Sequence, residues 1–164
     1  MELDKKIKEV YSKITRKDYR VPVLTEQFEL KITSTIKEDI VDEVEVLSTG
    51  EGQITSLSFI GSLVSYAREK TKEQFLSDFS GGDFPIVMDS PFGNLDQTHT
   101  ANVAANIGEL ASQVIIIVSD KQWNKDVEDN IKDKVGKMYK MYDENDNNKE
   151  IMETTVIKEV QYNG

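Results

Sequence analysis

The chain has 164 residues, 38% hydrophobic and 30% charged, a balance that supports one sizeable core and excludes a disordered or membrane-embedded protein. Thirty acidic against twenty basic residues give a formal charge of −10, which disfavours broad, direct contact with nucleic-acid phosphates and leaves only local clusters such as Lys132, Lys134, Lys137 and Lys140. Cysteine is absent, which excludes a disulfide framework and a thiolate zinc site, and no apolar run is long enough for a bilayer span or a signal peptide.

At the start, Leu3, Ile7, Val10 and Ile14 recur at spacings of four, three and four, which predicts a charged helix over 2–17. This narrow stripe suits an ordinary amphipathic helix or the returning end of a coiled coil. After Tyr19, the segments 19–24, 28–32 and 40–46 have strand character and predict a small antiparallel sheet. Phe28-Glu-Leu-Lys-Ile alternates as a half-buried strand does. A long helix is predicted over 51–79, with Ile54, Leu57, Ile60, Leu63, Val64 and Ala67 as its apolar stripe. Ser80-Gly-Gly-Asp83 forms a loop. Phe84 to Asp89 and Gln113 to Val118 read as strands buried on both faces, separated by a helix over 97–112. A polar helix over 121–135 and two strands around 137–142 and 154–160 follow, with a polar loop over 143–150 between the strands. Strand–helix–strand–helix order with apolar strands predicts an α/β fold with a mainly parallel sheet and a flanking antiparallel element.

Three segments carry chemistry. Leu47-Ser-Thr-Gly-Glu-Gly-Gln53 stands directly before the long helix, where unpaired N–H groups and the helix dipole favour a phosphate. The same residues also suit a plain N-cap by Ser48 with a glycine turn. Asp89 ends a buried strand, where ligands bind in open α/β sheets and where a carboxylate can hold Mg²⁺ beside phosphates. Otherwise it caps a loop. Ser90-Pro-Phe-Gly-Asn-Leu-Asp96 is a rigid turn whose last residue suits the N-cap of the next helix.

In this order, over about 46–123, the segments resemble the C-terminal lobe of ABC-type ATPases, in particular the SMC-like group with coiled coils. The phrase Met88-Asp-Ser-Pro-Phe-Gly-Asn-Leu-Asp96 is most similar to the ATPase associated with DNA phosphorothioate modification (DndD type) and related defence or repair ATPases. The resemblance implies the C-terminal half of a P-loop NTPase head. Residues 1–18 would end a coiled-coil helix and 19–164 would form the lobe. Within it, 47–53 matches the ABC signature, 84–89 the Walker B strand and 93–96 the D-loop. Ser48, Thr49, Gly50, Glu51 and Gln53 would then face the γ-phosphate of an ATP held by the opposite head. Asp89 would support Mg²⁺; Gly93, Asn94, Leu95 and Asp96 would link the two sites.

Two positions depart from that pattern. Ser90 stands where most of these ATPases carry the glutamate that polarises water, and a hydroxyl is too weak a base to replace it. The DndD type tends to carry a hydroxyl residue there too. Ser119 or Asp120 stands where the switch histidine is usual, and Ser119 could still contact a γ-phosphate. The only histidine, His99, is expected to face solvent or serve the helix cap. No Gly-x-x-x-x-Gly-Lys-[Ser/Thr] occurs. The expected partners are therefore an N-terminal lobe carrying that loop and a second, identical head, with DNA reached only through the full complex and no membrane. A cytoplasmic ATPase is expected of the complete head and little activity of this chain alone. A non-catalytic, ATP-gated structural module is the alternative.

Overall fold

A computed structural model describes residues 2–36, 39–73, 84–143 and 155–161, without the side chains of 36–41 and 71–73. The chain divides into two compact units, Met1–Asn130 and Ile131–Gly164.

The first unit opens with helix α1, Glu2–Ile14, which buries Ile7, Tyr11 and Ile14. Leu3 and Val10 of the predicted stripe are only half-buried, and Tyr11 takes the central place instead. Asp4 Oδ1 accepts the N–H of Leu24 at 2.9 Å and so ties α1 to the sheet that follows. That sheet is antiparallel, in the order β1 (Arg20–Leu24), β2 (Leu30–Ile36), β3 (Asp39–Glu43). Phe28 is not a strand residue: its φ is 62° and it is 73% exposed, because it makes the turn between β1 and β2. Val46, the last residue of the strand read over 40–46, lies beyond β3 and is exposed.

Helix α2, Thr49–Glu73, runs antiparallel to α1. Lys70 pairs with Glu2 at one end (2.9 Å), Lys17 with Glu51 at the other (2.7 Å), and Lys6 with Glu69 between. Its buried face matches the apolar stripe read from the sequence only in part, at Ile54, with Leu57, Val64 and Ala67 half-buried. Ile54, Thr55, Ser58, Gly61 and Ser62 are buried, whereas Ile60 and Leu63 are exposed. Small hydroxyl residues suit a close helix contact because they satisfy themselves on the helix. Thr55 and Ser58 donate to the carbonyls of Glu51 (2.8 Å) and Ile54 (2.7 Å), four residues back. A Cβ on Gly61 would stand 2.6 Å from Leu110 Cδ2, so glycine admits that side chain. The expected extension of α2 to residue 79 and the loop 80–83 lie outside the described residues.

Strands β4 (Ile86–Asp89) and β5 (Val114–Ile117) pair in parallel, with Asp89 opposite Ile117. Between them stand α3 (Gln97–Asn106) and a 3-10 turn (Ile107–Glu109). Burial alternates along β4: Ile86 and Met88 are buried, Val87 and Asp89 exposed. Ile115 and Ile117 are exposed on the same side. The expectation of strands buried on both faces is therefore corrected, since among the described residues the pair is covered on one face only. Helix α4, Lys125–Ile131, begins at a cap where Asn124 Oδ1 accepts the N–H of Val127 at 3.1 Å.

In the second unit, β6 (Met138–Asp143) and β7 (Thr155–Val160) form an antiparallel pair, with Met138 opposite Val160 and Asp143 opposite Thr155. The polar loop read over 143–150 lies, from 144 on, outside the described residues.

Candidate functional site

The start of α2 is built as a reciprocal cap. Glu51 N–H donates to Ser48 Oγ (3.3 Å), while Ser48 N–H and Oγ–H donate back to Glu51 Oε2 (3.1 and 2.9 Å). The sequence already spells this device, a serine followed three residues later by glutamate. Glu51 does more than cap. It is 8% exposed, and its Oε1 accepts Lys17 Nζ at 2.7 Å, with Arg20 Nε 3.9 Å away. The Lys17 hydrogen bond, with those from Ser48, pulls its pKa down to about 2 against the opposing effect of burial. Its carboxylate is thus directed at the exit of α1.

The turn 90–96 lies against this cap. Ser90 takes a left-handed φ of 53°, a conformation that costs a non-glycine residue about 1–2 kcal/mol. Its N–H is held by the carbonyl of Ile117 (2.8 Å) and its Oγ donates to Asp89 Oδ1 (3.1 Å). Two successive turns follow, Gly93 N–H to Ser90 O (3.1 Å) and Leu95 N–H to Phe92 O (3.3 Å), and buried Phe92 anchors them. Gln53 Nε2 reaches across from α2 and donates to Ser90 O (3.2 Å) and Pro91 O (2.6 Å). A Cβ on Gly50 would stand 2.8 Å from the backbone oxygen of Asn94, so only glycine lets the two segments touch.

Asp96 closes the turn as the N-cap of α3 and accepts His99 N–H at 3.0 Å. Its pKa is lowered, first by that backbone hydrogen bond and further by the His99 ring and Arg16. His99 is 5% exposed, not solvent-facing; its ring lies between Asp96 and the backbone of Arg16. Asp89 and Ser119 sit at the carboxyl ends of β4 and just past β5, both exposed, as is Asp120.

The structure thus brings Gly50, Gln53, Ser90, Pro91 and Asn94 into one contact region, with Ser48 and Glu51 in the adjoining cap. Three contributors, Gln122, Arg16 and Lys17, were not singled out from the sequence, and His99 was read only as solvent-facing or as serving the cap. Gln122 packs beside the turn, its Nε2 3.0 Å from where a Gly93 Cβ would be. Arg16, Lys17 and His99 form the polar underside. A signal existed for His99, three residues after a capping aspartate. None existed for Gln122, whose place depends on the path after β5.

No protein-family profile and no curated protein matches this sequence. Solved structures do. One comes from work on the ATP-driven dimerisation and DNA-stimulated activation of SMC ATPases: TM-score 0.60, 16% identity, covering 98% of this chain and 84% of that one. The fold is that of the C-terminal portion of an SMC ATPase head. A second match is the Smc head domain of Pyrococcus furiosus with an extended coiled coil, bound to the C-terminal domain of ScpA. It has TM-score 0.58 and 15% identity, with 96% of this chain and 35% of that one covered. A third is the Smc head of Pyrococcus yayanosii with a coiled coil and joint: TM-score 0.58, 17% identity, 98% and 27% covered. This chain therefore spans about a third or less of the two longer Smc chains. Among the described residues no helix is long and apolar enough to cross a membrane.

Proposed function

We propose that the chain is the C-terminal lobe of an ATP-driven dimerising head, carrying its signature loop in trans and its Mg²⁺-side acid in cis. The observation that supports this best is the contact of the capped α2 start with the turn 90–96 at the carboxyl edge of a parallel strand pair.

Asp89 would be the carboxylate on the metal. It would share the ion with phosphates and a phosphate-loop hydroxyl. That division fits a lobe whose N-terminal counterpart binds ATP·Mg²⁺. Bound there, the metal supplies charge neutralisation at the phosphates. In trans, the N–H groups of Thr49 and Gly50 and the Thr49 hydroxyl stand at the start of α2, where the helix dipole favours an anion, and Ser48 would turn its hydroxyl from Glu51 to join them. Glu51 and Gln53 would shape that loop and not touch phosphate: one is an inward-facing anion, the other spends its amide on Ser90 and Pro91.

Ser90 gives its hydroxyl hydrogen to Asp89 and offers no general base, so turnover by the completed head would be slow. The same hydrogen bond favours a second reading, an ATP-gated structural module without hydrolysis. Background turnover in the completed head, with DNA and partners present, would select the second reading. The resemblance of the motif at 88–96 supports a place in DNA modification of the DndD type, in defence or in repair.

In a rebuilt head, Ser48→Arg should abolish ATP-dependent dimerisation while each head still binds ATP, measured by light scattering and nucleotide titration. Unchanged dimerisation would remove the signature assignment.

A further inference from the structure

The two residues just beyond α1 and its following Thr15 are both cationic, and each reaches a different part of the site. Lys17 pairs with Glu51 of the α2 cap at 2.7 Å, and Arg16 Nη2 lies 3.4 Å from Asp96 Oδ2. His99 makes a second, buried connection. Its Nδ1 lies 3.0 Å from Asp96 Oδ2, and its Nε2 accepts the backbone N–H of Arg16 at 3.4 Å. Two turns further along α3, Asn106 donates to the carbonyl of Lys13 at 3.4 Å.

An amide N–H can only donate, so Nε2 must be bare, and a neutral imidazole then carries its one hydrogen on Nδ1, directed at Asp96. The rigid ring therefore has a donor for the turn 90–96 on one side and an acceptor for the end of α1 on the other. We propose that His99 is a positioning residue that couples the exit of α1 to Asp96, so that displacement of α1 is carried into the turn 90–96. From Asp96 the turn leads to Asn94, whose carbonyl lies against Gly50, and to Ser90 and Pro91, which Gln53 holds. The coupling rests on the ATP-head reading for its use alone; its geometry involves no nucleotide.

His99 is the only histidine, so its ring nitrogens can be observed without assignment in the ¹⁵N spectrum of the full 164-residue chain. Free imidazole of histidine prefers the hydrogen on Nε2. The coupling requires the opposite tautomer, hydrogen on Nδ1, and an Nε2–H signal overturns it. Amide exchange tests transmission. Asn106→Ala removes one side-chain bond to the end of α1 and should speed exchange at Gly93 and Leu95 by roughly threefold or more. The carboxamide of His99→Asn can stand only at the Nδ1 position, beside Asp96, and that of His99→Gln only at the Nε2 position, beside the Arg16 amide, so each variant keeps one of the two contacts. In either background Asn106→Ala should add no further acceleration. Equal acceleration in all backgrounds overturns the coupling. Should the His99 variants not fold, Arg16→Pro removes the amide donor and leaves the ring in place. Asn106→Ala should then add no further acceleration at Gly93 and Leu95; acceleration equal to that in the parent chain overturns the proposal. Every measurement is made without ATP, so its failure leaves the Ser48→Arg test standing, and the reverse holds.

Discussion

Glu51 and Gly50 are sequence neighbours with separate tasks, and each can be tested singly. Glu51 has an ordinary pKa of 4.5 and a folded-state value of about 2. The folded state thus holds fewer protons than the unfolded one between those values, and stability rises with pH across that window. The contribution is fully present above about pH 4.5 and is lost as pH falls through about 2. At neutral pH it amounts to on the order of 3 kcal/mol. Denaturant unfolding from pH 7 to pH 2 should show this loss, and Glu51→Gln should flatten the acid limb while lowering stability at pH 7. An equally steep limb in the variant would mean another carboxylate is responsible. At Gly50 an added methyl meets the Asn94 backbone, which has no flexible end to yield, whereas a Cβ on Gly52 would meet nothing within 4 Å. Gly50→Ala should therefore cost about 1–3 kcal/mol, and Gly52→Ala should gain about 0.5–1 kcal/mol from helix propensity. Thermal midpoints of the two variants moving in the same direction would contradict this placement.

The elements divide by how local their cause is. Caps were legible: Ser48 with Glu51, and Asp96 before α3, because both partners lie within three residues. The strand edge at Asp89 was legible for a similar reason, an apolar run ending in an acid. The buried face of α2 was legible only in part, at Ile54, because hydrophobic spacing favoured Ile60 and Leu63, whereas packing selected Ser58, Gly61 and Ser62. What decided that face was the close approach of neighbouring side chains such as Leu110, which no pattern within α2 contains. The part of His99 in the Asp96 cap was legible, whereas its acceptor role was not, since that is fixed by Arg16, 83 residues away. One member of the α2 face carries its own prediction. Ser62 Oγ is fully buried and, among the described residues, has no hydrogen-bond partner. Ser62→Ala removes an unsatisfied hydroxyl at nearly constant volume and should stabilise by about 1 kcal/mol in equilibrium unfolding. Ser58→Ala, which loses a made bond to Ile54, should show no such gain.

At the scale of the whole molecule, the strands β4 and β5 are written for a sheet with more around it than the described residues provide. Val87 is 62% exposed, Ile115 45% and Ile117 39%, all on the side that also carries Asp89. A row of β-branched side chains in water gains nothing for the isolated chain, which is why the apolar runs suggested full burial and the structure shows half. In a completed head, the lobe with the phosphate-binding loop would cover this face and bring its nucleotide to Asp89. A lysine in place of Val87 or Ile115 separates the two situations. In this chain alone the side chain stays in water, and stability should change by no more than about 0.5 kcal/mol. Against the covering lobe, the same lysine would be buried without a partner, at a cost of several kcal/mol. Co-expression with that lobe followed by size-exclusion chromatography should therefore show loss of the complex for Val87→Lys and Ile115→Lys. Lys121→Ala, at an exposed position past β5, serves as the control and should retain the complex. Complexes that survive both lysines would place the covering lobe elsewhere, and Asp89 would then lose its assigned nucleotide along with the face beside it.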